Sequence, residues 1–567
     1  METISNDILS PWREETSRRI QKHFEVFRGL VTQAKDFTQR GEYDAAAVYA
    51  DVAASHAFRR HCGLFVSQEL EQVLLTIGQK AIRKNRYSTE NSLLPAQHRK
   101  VLHVATGVKG IGGHSRMIWR WIEQDSESSH SLVLTRQSLV CVPQVLKDAV
   151  LNSHGNMYTL SEICGFVSAA KRLRQIAASA DIVVLHISPD DSIPIIAFAN
   201  KEQSPPIIFL DHADHGFWLG ASITDVVANM RDSGMHLSQE RRGIETERIA
   251  VLPILLPPIH RTLSRPEAKQ KLGLDSDSVV LLSIARAPKY RTMDGINFAD
   301  AHVPLLEKYD NTVLIVIGPG DSEDWSAAVE QTEGRIKILP EREDTDVFYH
   351  AADIYVDSFP YVSITSLLEA GSYGVPLVSR YPYSDVAAVY GADAPGLDGN
   401  LIRPRNLEEY TAILSRLVED EEFRLNLGEA TQKRIAQVHT ENYWQRAVED
   451  IYVRATCMSQ VTSKFTTIDQ ISINELDVLL MHLFLLTFSQ QEVQVEQMVK
   501  ARATTIPYAQ KLHIWVKLLK KHDLRWVDHI NFLLPISLYT ALRKSILFCL
   551  TLTKTIGIKK IIKSIDG

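Results

Sequence analysis

The segment "IIFLDHADHGFWLG" (207–220) gathers Asp211, His212, Asp214 and His215 within five residues, just after an apolar run. A histidine at the end of such a run can act as general base or donate a hydrogen bond to a sugar hydroxyl. The His/Asp mixture also suits a metal, but no third ligand is evident, and a hydrogen-bonded polar loop is the plain alternative. In "SIARAPKYRTMDG" (283–295), Arg286 and Arg291 stand five apart with Lys289 between them. Arginines there can clamp a diphosphate bidentately; the alternative is a solvated basic loop.

A third stretch, "DSFPYVSITSLLEAGSYGVPLVS" (357–379), reads as strand end, turn, short helix, glycine and strand. Ser363, Thr365 and Ser366 are residue types that start helices, and Ser366 with Glu369 fits a capping box. The same residues suit a second role. Free N–H groups and hydroxyls at a helix N-terminus hold a diphosphate, while a carboxylate one turn further accepts two ribose hydroxyls. Glu369 can do only one of these jobs fully.

In "VLHVATGVKGIGGHSRMIWRWI" (101–122), Gly107, Gly110, Gly112 and Gly113 separate a strand from a helix starting near His114. Glycines let a backbone approach a ligand closely at a helix N-terminus. The spacing is not GxGxxG, no acidic residue stands where a dinucleotide ribose would need one, and a structural turn fits equally. His186, with Asp190 and Asp191, also follows a strand and carries less weight.

These segments need elements to hold them. Short β-rich runs separated by helical lengths ("VLHVATG", "SLVLT", "DIVVLHIS", "PPIIFLDH", "RIAVLPILL") predict a parallel sheet covered by helices. A second series ("VVLLSIAR", "TVLIVIGPG", "IKILP", "DIYVDSF", "VPLVSR") predicts another, with a proline-rich joint at 252–266 between them. The organisation expected is a helical N-terminal extension (1–95), a Rossmann-like lobe (96–262), a second Rossmann-like lobe with closing helices (263–456) and a helical C-terminal extension (457–567). Ligands of such sheets sit at the carboxyl ends of the strands.

At 567 residues the chain has room for three or four domains. A net charge of −6 offers no general reason to expect nucleic-acid binding. Five scattered cysteines without metal-like spacing read as reduced thiols. The polar N-terminus lacks a signal-peptide core, and no window offers the roughly 20 apolar residues of a membrane span. A cytoplasmic protein is expected. In the tail, Ile556, Ile558, Ile561, Ile562 and Ile565 interleave with lysines, so an interfacial helix at the inner membrane face and an ordinary packed helix are both open.

Several motifs, taken in order, resemble a known family. "AADIYVDSFPYVSITSLLEAGSYGVPLVS", "LLSIARAPKYR" and the helical "NLIRPRNLEEYTAILSRLVEDEEFRLNLGEATQKRIAQVHTENYW" are similar to the retaining GT-B glycosyltransferases of group 1 (family 4). "GIGGH" resembles that family's glycine loop, and "FLDHADH" falls where it carries an active-site histidine. The resemblance covers roughly 100–456. It implies an α/β GT-B architecture of two facing lobes. It further implies a transferase moving a sugar from a nucleotide-diphosphate sugar to a glycan, lipid-linked or protein acceptor, without metal or cofactor.

By position, the resemblance puts Arg286, Arg291, Ser363, Ile364, Thr365 and Ser366 at the donor diphosphate and Glu369 at its ribose. Gly112 and Gly113 would face the ligand from the other lobe, and His212 (or Asp211) would orient or deprotonate the acceptor. There is one departure. Tyr361 stands where the family carries the first glutamate of its E-x7-E motif, more like the turn of the protein O-GlcNAc transferases. A nucleotide-sugar 2-epimerase shares the fold but suits this motif order less. A catalytically degenerate GT-B protein acting as a nucleotide-sugar-binding or partner module is the alternative that Tyr361 motivates.

Overall fold

Seven parallel strands form the first sheet of the computed structural model: β1 (Arg99–Ala105), β2 (Ser128–Leu134), β3 (Met157–Thr159), β4 (Ile182–His186), β5 (Ile207–Asp211), β6 (Val226–Asn229) and β7 (Ile249–Val251). Their order is β3-β2-β1-β4-β5-β6-β7. Five more build a second parallel sheet: β8 (Val279–Ile284), β9 (Thr312–Ile317), β10 (Ile336–Leu339), β11 (Ile354–Val356) and β12 (Leu377–Val378), in the order β10-β9-β8-β11-β12. The structure describes residues 10–83, 98–110, 112–257, 259, 261–293, 295–320, 325–458, 469–487, 494–519 and 532. The basic tail lies outside them.

The register follows from the burial pattern. β1 pairs with β2 from Arg99↔Ser128 to Ala105↔Leu134 and with β4 from Val101↔Ile182 to Ala105↔His186. Side chains alternate between faces, as the pleat requires. Ile182, Val184, Ile208 and Leu210 join one core, and Val183, Leu185, Ile207 and Phe209 the opposite one. Both faces are covered, which is why these strands are apolar throughout. In the second sheet Val279 and Leu281 face one core, Val280 and Leu282 the other.

The ten strands expected from sequence are all present. β3 and β6 are additions: β3 is a three-residue edge strand, and β6 a four-residue run too short to stand out.

The expected N-terminal helices form at Ser10–Gln39, Tyr43–Arg59 and Gln68–Ala81. They do not stand apart from the lobe. Phe27, Ala50, Val52 and Leu74 share one core with Leu102, Leu185 and Phe209 of the sheet. Burying each large apolar side chain there stabilises by roughly 1.5–3 kcal/mol. Glu71 reaches further, accepting the N–H groups of Gly220 and Ala221 (2.7 and 3.0 Å) on one oxygen and that of Ser222 (2.6 Å) on the other.

Two later helices also cross expected boundaries. Helix Glu441–Cys457 packs on the first lobe: Trp444 donates to the Pro253 carbonyl (3.1 Å), and Trp121 donates to the Tyr452 hydroxyl (2.8 Å). Helix Glu475–Thr487 begins with a reciprocal cap between Asn474 and Asp477 and then spans three regions. Asp477 bonds His61 (2.8 Å) and Arg241 (2.9 Å), and Ser384 of the second lobe donates to Glu475 (2.7 Å). Among the described residues no helix is long and apolar enough to cross a membrane.

Candidate active site between the lobes

The carboxyl ends of both sheets border one cavity of about 750 Å³. On the second-lobe side, the turn after β11 leads into helix Ile364–Ser372. Buried Asp357 organises that turn: one oxygen accepts the N–H groups of Ser358 and Ser363 (both 2.9 Å), the other the Ser379 hydroxyl (2.9 Å). Burial pushes its pKa up to about 6, opposed by these hydrogen bonds and by the Lys289 charge.

Ser363 is the N-cap residue, yet its side chain does not cap the helix; its hydroxyl donates to that of Ser366 (3.3 Å). The first turn therefore presents N–H groups, with the positive end of the helix dipole, to the cavity wall formed by Ser363, Ile364, Thr365 and Ser366. Such a surface can bind an anion.

Basic side chains flank it. Arg286 is exposed into the cavity at the end of β8. Lys289 also lines it, with Nζ donating to the Val362 carbonyl (2.6 Å). The surface of Lys289 is only half-buried, but its ammonium is packed against the turn. Desolvation pushes its pKa down to about 8, and the Asp357 charge works against that shift. Arg291 lies beyond the turn Ala287–Tyr290 and is not among the cavity-lining residues. Of the basic pair expected from sequence, Arg286 lines the cavity, and Lys289 rather than Arg291 joins it there. A 3-10 turn, Ala287–Tyr290, separates Arg286 from Arg291.

The first lobe supplies the opposite wall. Gly112, at φ +120°, turns the chain into helix Gly113–Gln124. A Cβ on Gly113 would lie 2.7 Å from Thr365 Oγ1, so glycine there lets the two lobes approach. His212 follows β5. Its Nδ1–H donates to the Leu210 carbonyl (3.3 Å), which leaves Nε2 as an acceptor. Its ring stacks on His114 at 3.9 Å. Burial pushes the His212 pKa down to about 4 and holds His114 well below the usual histidine range. Both imidazoles are thus neutral near pH 7, and His114 Nε2 is buried with no hydrogen-bond partner among the described residues.

Behind this pair a file of histidines runs into the lobe. His186 Nε2 meets His103 Nδ1 (2.9 Å), and His103 Nε2 meets His130 Nδ1 (2.9 Å). Burial pushes His186 down to about 3.

Asp211 does not reach the cavity surface. It is fully buried, accepting from the Ala213 N–H (3.3 Å) and Trp218 Nε1 (3.2 Å), and burial raises its pKa. These bonds make it a group that positions the loop carrying His212. Asp214 is held well below the usual carboxylate range by Arg231, which donates to both its oxygens (2.6 and 2.9 Å).

Glu369 is half-buried on the helix that begins at Ile364. It is not the N3 residue of a capping box, a place that falls to Ser366. Its Oε1 accepts from Arg116 of the first lobe (2.8 Å), with Arg120 at 3.7 Å, and its Oε2 accepts from Tyr349 (3.3 Å). Arg116, Tyr349 and His114 are the site residues to which sequence reasoning gave no role; Lys289 it named only as the middle of the basic triplet.

Residues 264–434 match the family model of glycosyl transferases group 1. A D-inositol 3-phosphate glycosyltransferase from Nocardiopsis dassonvillei is 25% identical over 249 residues, covering 40% of this chain and 54% of the relative. The chain thus spans about half the length of the curated relative it matches. A solved glycosyltransferase from Rickettsia africae superposes with a TM-score of 0.50 at 13% identity, over 64% of this chain and 100% of that one. An O-GlcNAc transferase mutant from Thermobaculum terrenum gives a TM-score of 0.48 at 17% identity, over 77% and 84%. Residues 264–434 are thus similar to the glycosyl transferases group 1, and the two facing parallel-sheet lobes have the GT-B fold.

Proposed function

We propose that the chain is a glycosyltransferase that takes a sugar from a nucleoside-diphosphate donor bound in the inter-lobe cavity and passes it to an acceptor hydroxyl. The observation that carries this reading is the apposition of two walls. One presents the uncapped N-terminus of helix Ile364–Ser372 with Arg286 and Lys289; the other presents the neutral pair His212 and His114.

Cleavage of the glycosidic C–O bond leaves negative charge on the diphosphate. Arg286, Lys289 and the N–H groups of residues 364–366 stabilise that charge as it develops. The protein itself supplies the positive charge, so the reaction proceeds without a metal ion. Glu369 receives the ribose hydroxyls, exchanging its bond to Arg116 for them. His212, neutral and with Nε2 free to accept, orients the acceptor hydroxyl, whose oxygen bonds the anomeric carbon as the diphosphate leaves and whose proton passes to the departing diphosphate oxygen. The family resemblance supports retention of anomeric configuration. Glycans, lipid-linked sugars and proteins are the acceptor classes compatible with an open cleft of this size.

The test is incubation of the full chain with a panel of nucleotide sugars, with and without EDTA, following nucleoside diphosphate release and the anomeric configuration of the product by NMR. Metal-independent release supports the reading. Tyr361 in place of a carboxylate favours one rival, a binding protein without turnover. Tight nucleotide-sugar binding with no release in the presence of glycan, lipid-linked and peptide acceptors would select it.

A further inference from the structure

Helix Glu475–Thr487 lies outside the family-matched segment 264–434, yet it delivers Phe484 to the wall of the inter-lobe cavity. Phe484 is 4% exposed and shares one apolar cluster with Tyr390 and the partly buried Tyr361. Tyr361 and Tyr390 meet edge to face with ring centroids 6.1 Å apart. Phe58 of the N-terminal helices supports Phe484 from behind, with ring centroids 6.1 Å apart.

Two features mark this end of the cavity as a place for a ligand. Tyr390 is 4% exposed, and its hydroxyl has no hydrogen-bond partner among the described residues. A buried hydroxyl left unpaired is unfavourable, and a ligand hydroxyl relieves it. The rings are also edged with polar groups: His215 lies 6.1 Å from the Tyr390 ring and 3.4 Å from Asp214, which Arg231 holds in place. A lipid chain has no use for such an edge. A pyranose does, because its C–H face packs on aromatic rings while its equatorial hydroxyls need donors and acceptors.

Position selects which sugar. Tyr361 directly precedes Val362, whose carbonyl holds Lys289, and Ser363, which opens the diphosphate-facing helix. The first group beyond the β-phosphate of a bound donor is its sugar.

We infer that Tyr361, Tyr390 and Phe484 form an aromatic subsite for the pyranose ring of the donor, so that the C-terminal extension takes part in choosing the transferred sugar. The inference rests on the donor reading of the cavity given above.

The experiment separates the two. The full chain is titrated calorimetrically with uridine, guanosine, adenosine and thymidine diphosphates. It is then titrated with the glucose, galactose and N-acetylglucosamine esters of whichever diphosphate binds. Phe484→Leu keeps apolar volume while removing the ring, and Tyr390→Phe removes only the hydroxyl. Each is expected to hold the diphosphate Kd within twofold and to weaken the best sugar ester about tenfold. An unchanged ester Kd in both variants overturns the subsite. An equal loss for diphosphate and ester overturns it too, since that reports a disturbed fold. Absence of binding by every diphosphate to the unmodified chain defeats the donor reading, and the subsite with it.

Discussion

Arg116 Nη1 lies 2.8 Å from Glu369 Oε1 and so ties the first lobe to the second across the floor of the cavity. The pair is only partly buried, with side-chain exposures of 28% and 12%. Ion pairs in such settings contribute little, about 1 kcal/mol or less when exposed. Two ribose hydroxyls bonded to a carboxylate offer more, roughly 1.5–3 kcal/mol per bond to a charged group. On the proposed donor reading, the ribose hydroxyls therefore displace the Arg116 guanidinium from Glu369.

Glu369→Ala is accordingly expected to weaken nucleoside diphosphate binding 10- to 100-fold, about 1.5–3 kcal/mol. Its melting temperature should shift by only a few degrees, because the side chain caps no helix. Calorimetric titration with thermal melts checks both. Unaltered affinity would leave Glu369 as an inter-lobe strut and nothing more.

Lys289 and Arg291 separate the structural from the sequence-based map. Lys289→Ala removes a cation that lines the cavity, and a hundredfold loss in kcat/KM, roughly 3 kcal/mol, is expected. Arg291→Ala should lose less than fivefold. Steady-state kinetics on the two variants decides, and the reverse ranking would restore the five-residue spacing as the guide to the site.

The pH dependence of kcat/KM should be broad and set by two groups. His212, with its pKa pushed down to about 4, stays neutral well below the range in which an ordinary histidine protonates. Its acceptor function is thus retained at pH 5 and fails only toward pH 4. Lys289, pushed down to about 8, loses its charge as pH rises through that value, and the alkaline limb falls there. In Lys289→Arg the alkaline limb should move above pH 9. An acid limb centred near 6.5 would show that His212 is solvated and ordinary.

Stability should fall in mild acid for the same reason. His186 is buried and its folded-state pKa, about 3, lies below the unfolded value near 6.5. The unfolded chain therefore binds the extra proton as pH drops below 6.5, and stability decreases as acid is added. Between pH 6.5 and 5 this one group removes about 2 kcal/mol. His103, held well below the usual range by burial, acts in the same direction. Denaturant melts at pH 7.5 and 5 measure the difference. Equal stability at both would contradict a neutral, buried His186.

What the sequence by itself determined was local. Apolar runs of strand length alternating with helical segments specified two parallel sheets, because the periodicity of burial is written in consecutive residues. It also marked the loops at the strand ends and the resemblance carried by 357–379. It could not rank the residues within those loops. Ser366 and Glu369 read as a capping box until the helix start at Ile364 put Ser366 at N3 and sent Glu369 to Arg116. Lys289, inside a short 3-10 turn, lines the cavity, and Arg291 just after that turn does not. Asp211 and His212 are adjacent, yet the pleat puts one in the core and the other at the cavity. Only the tertiary structure joined residues 253 positions apart in the Arg116–Glu369 pair and brought Phe484 of the C-terminal extension to the site. Contacts between distant segments depend on how lobes and extensions pack, and no local spacing encodes them.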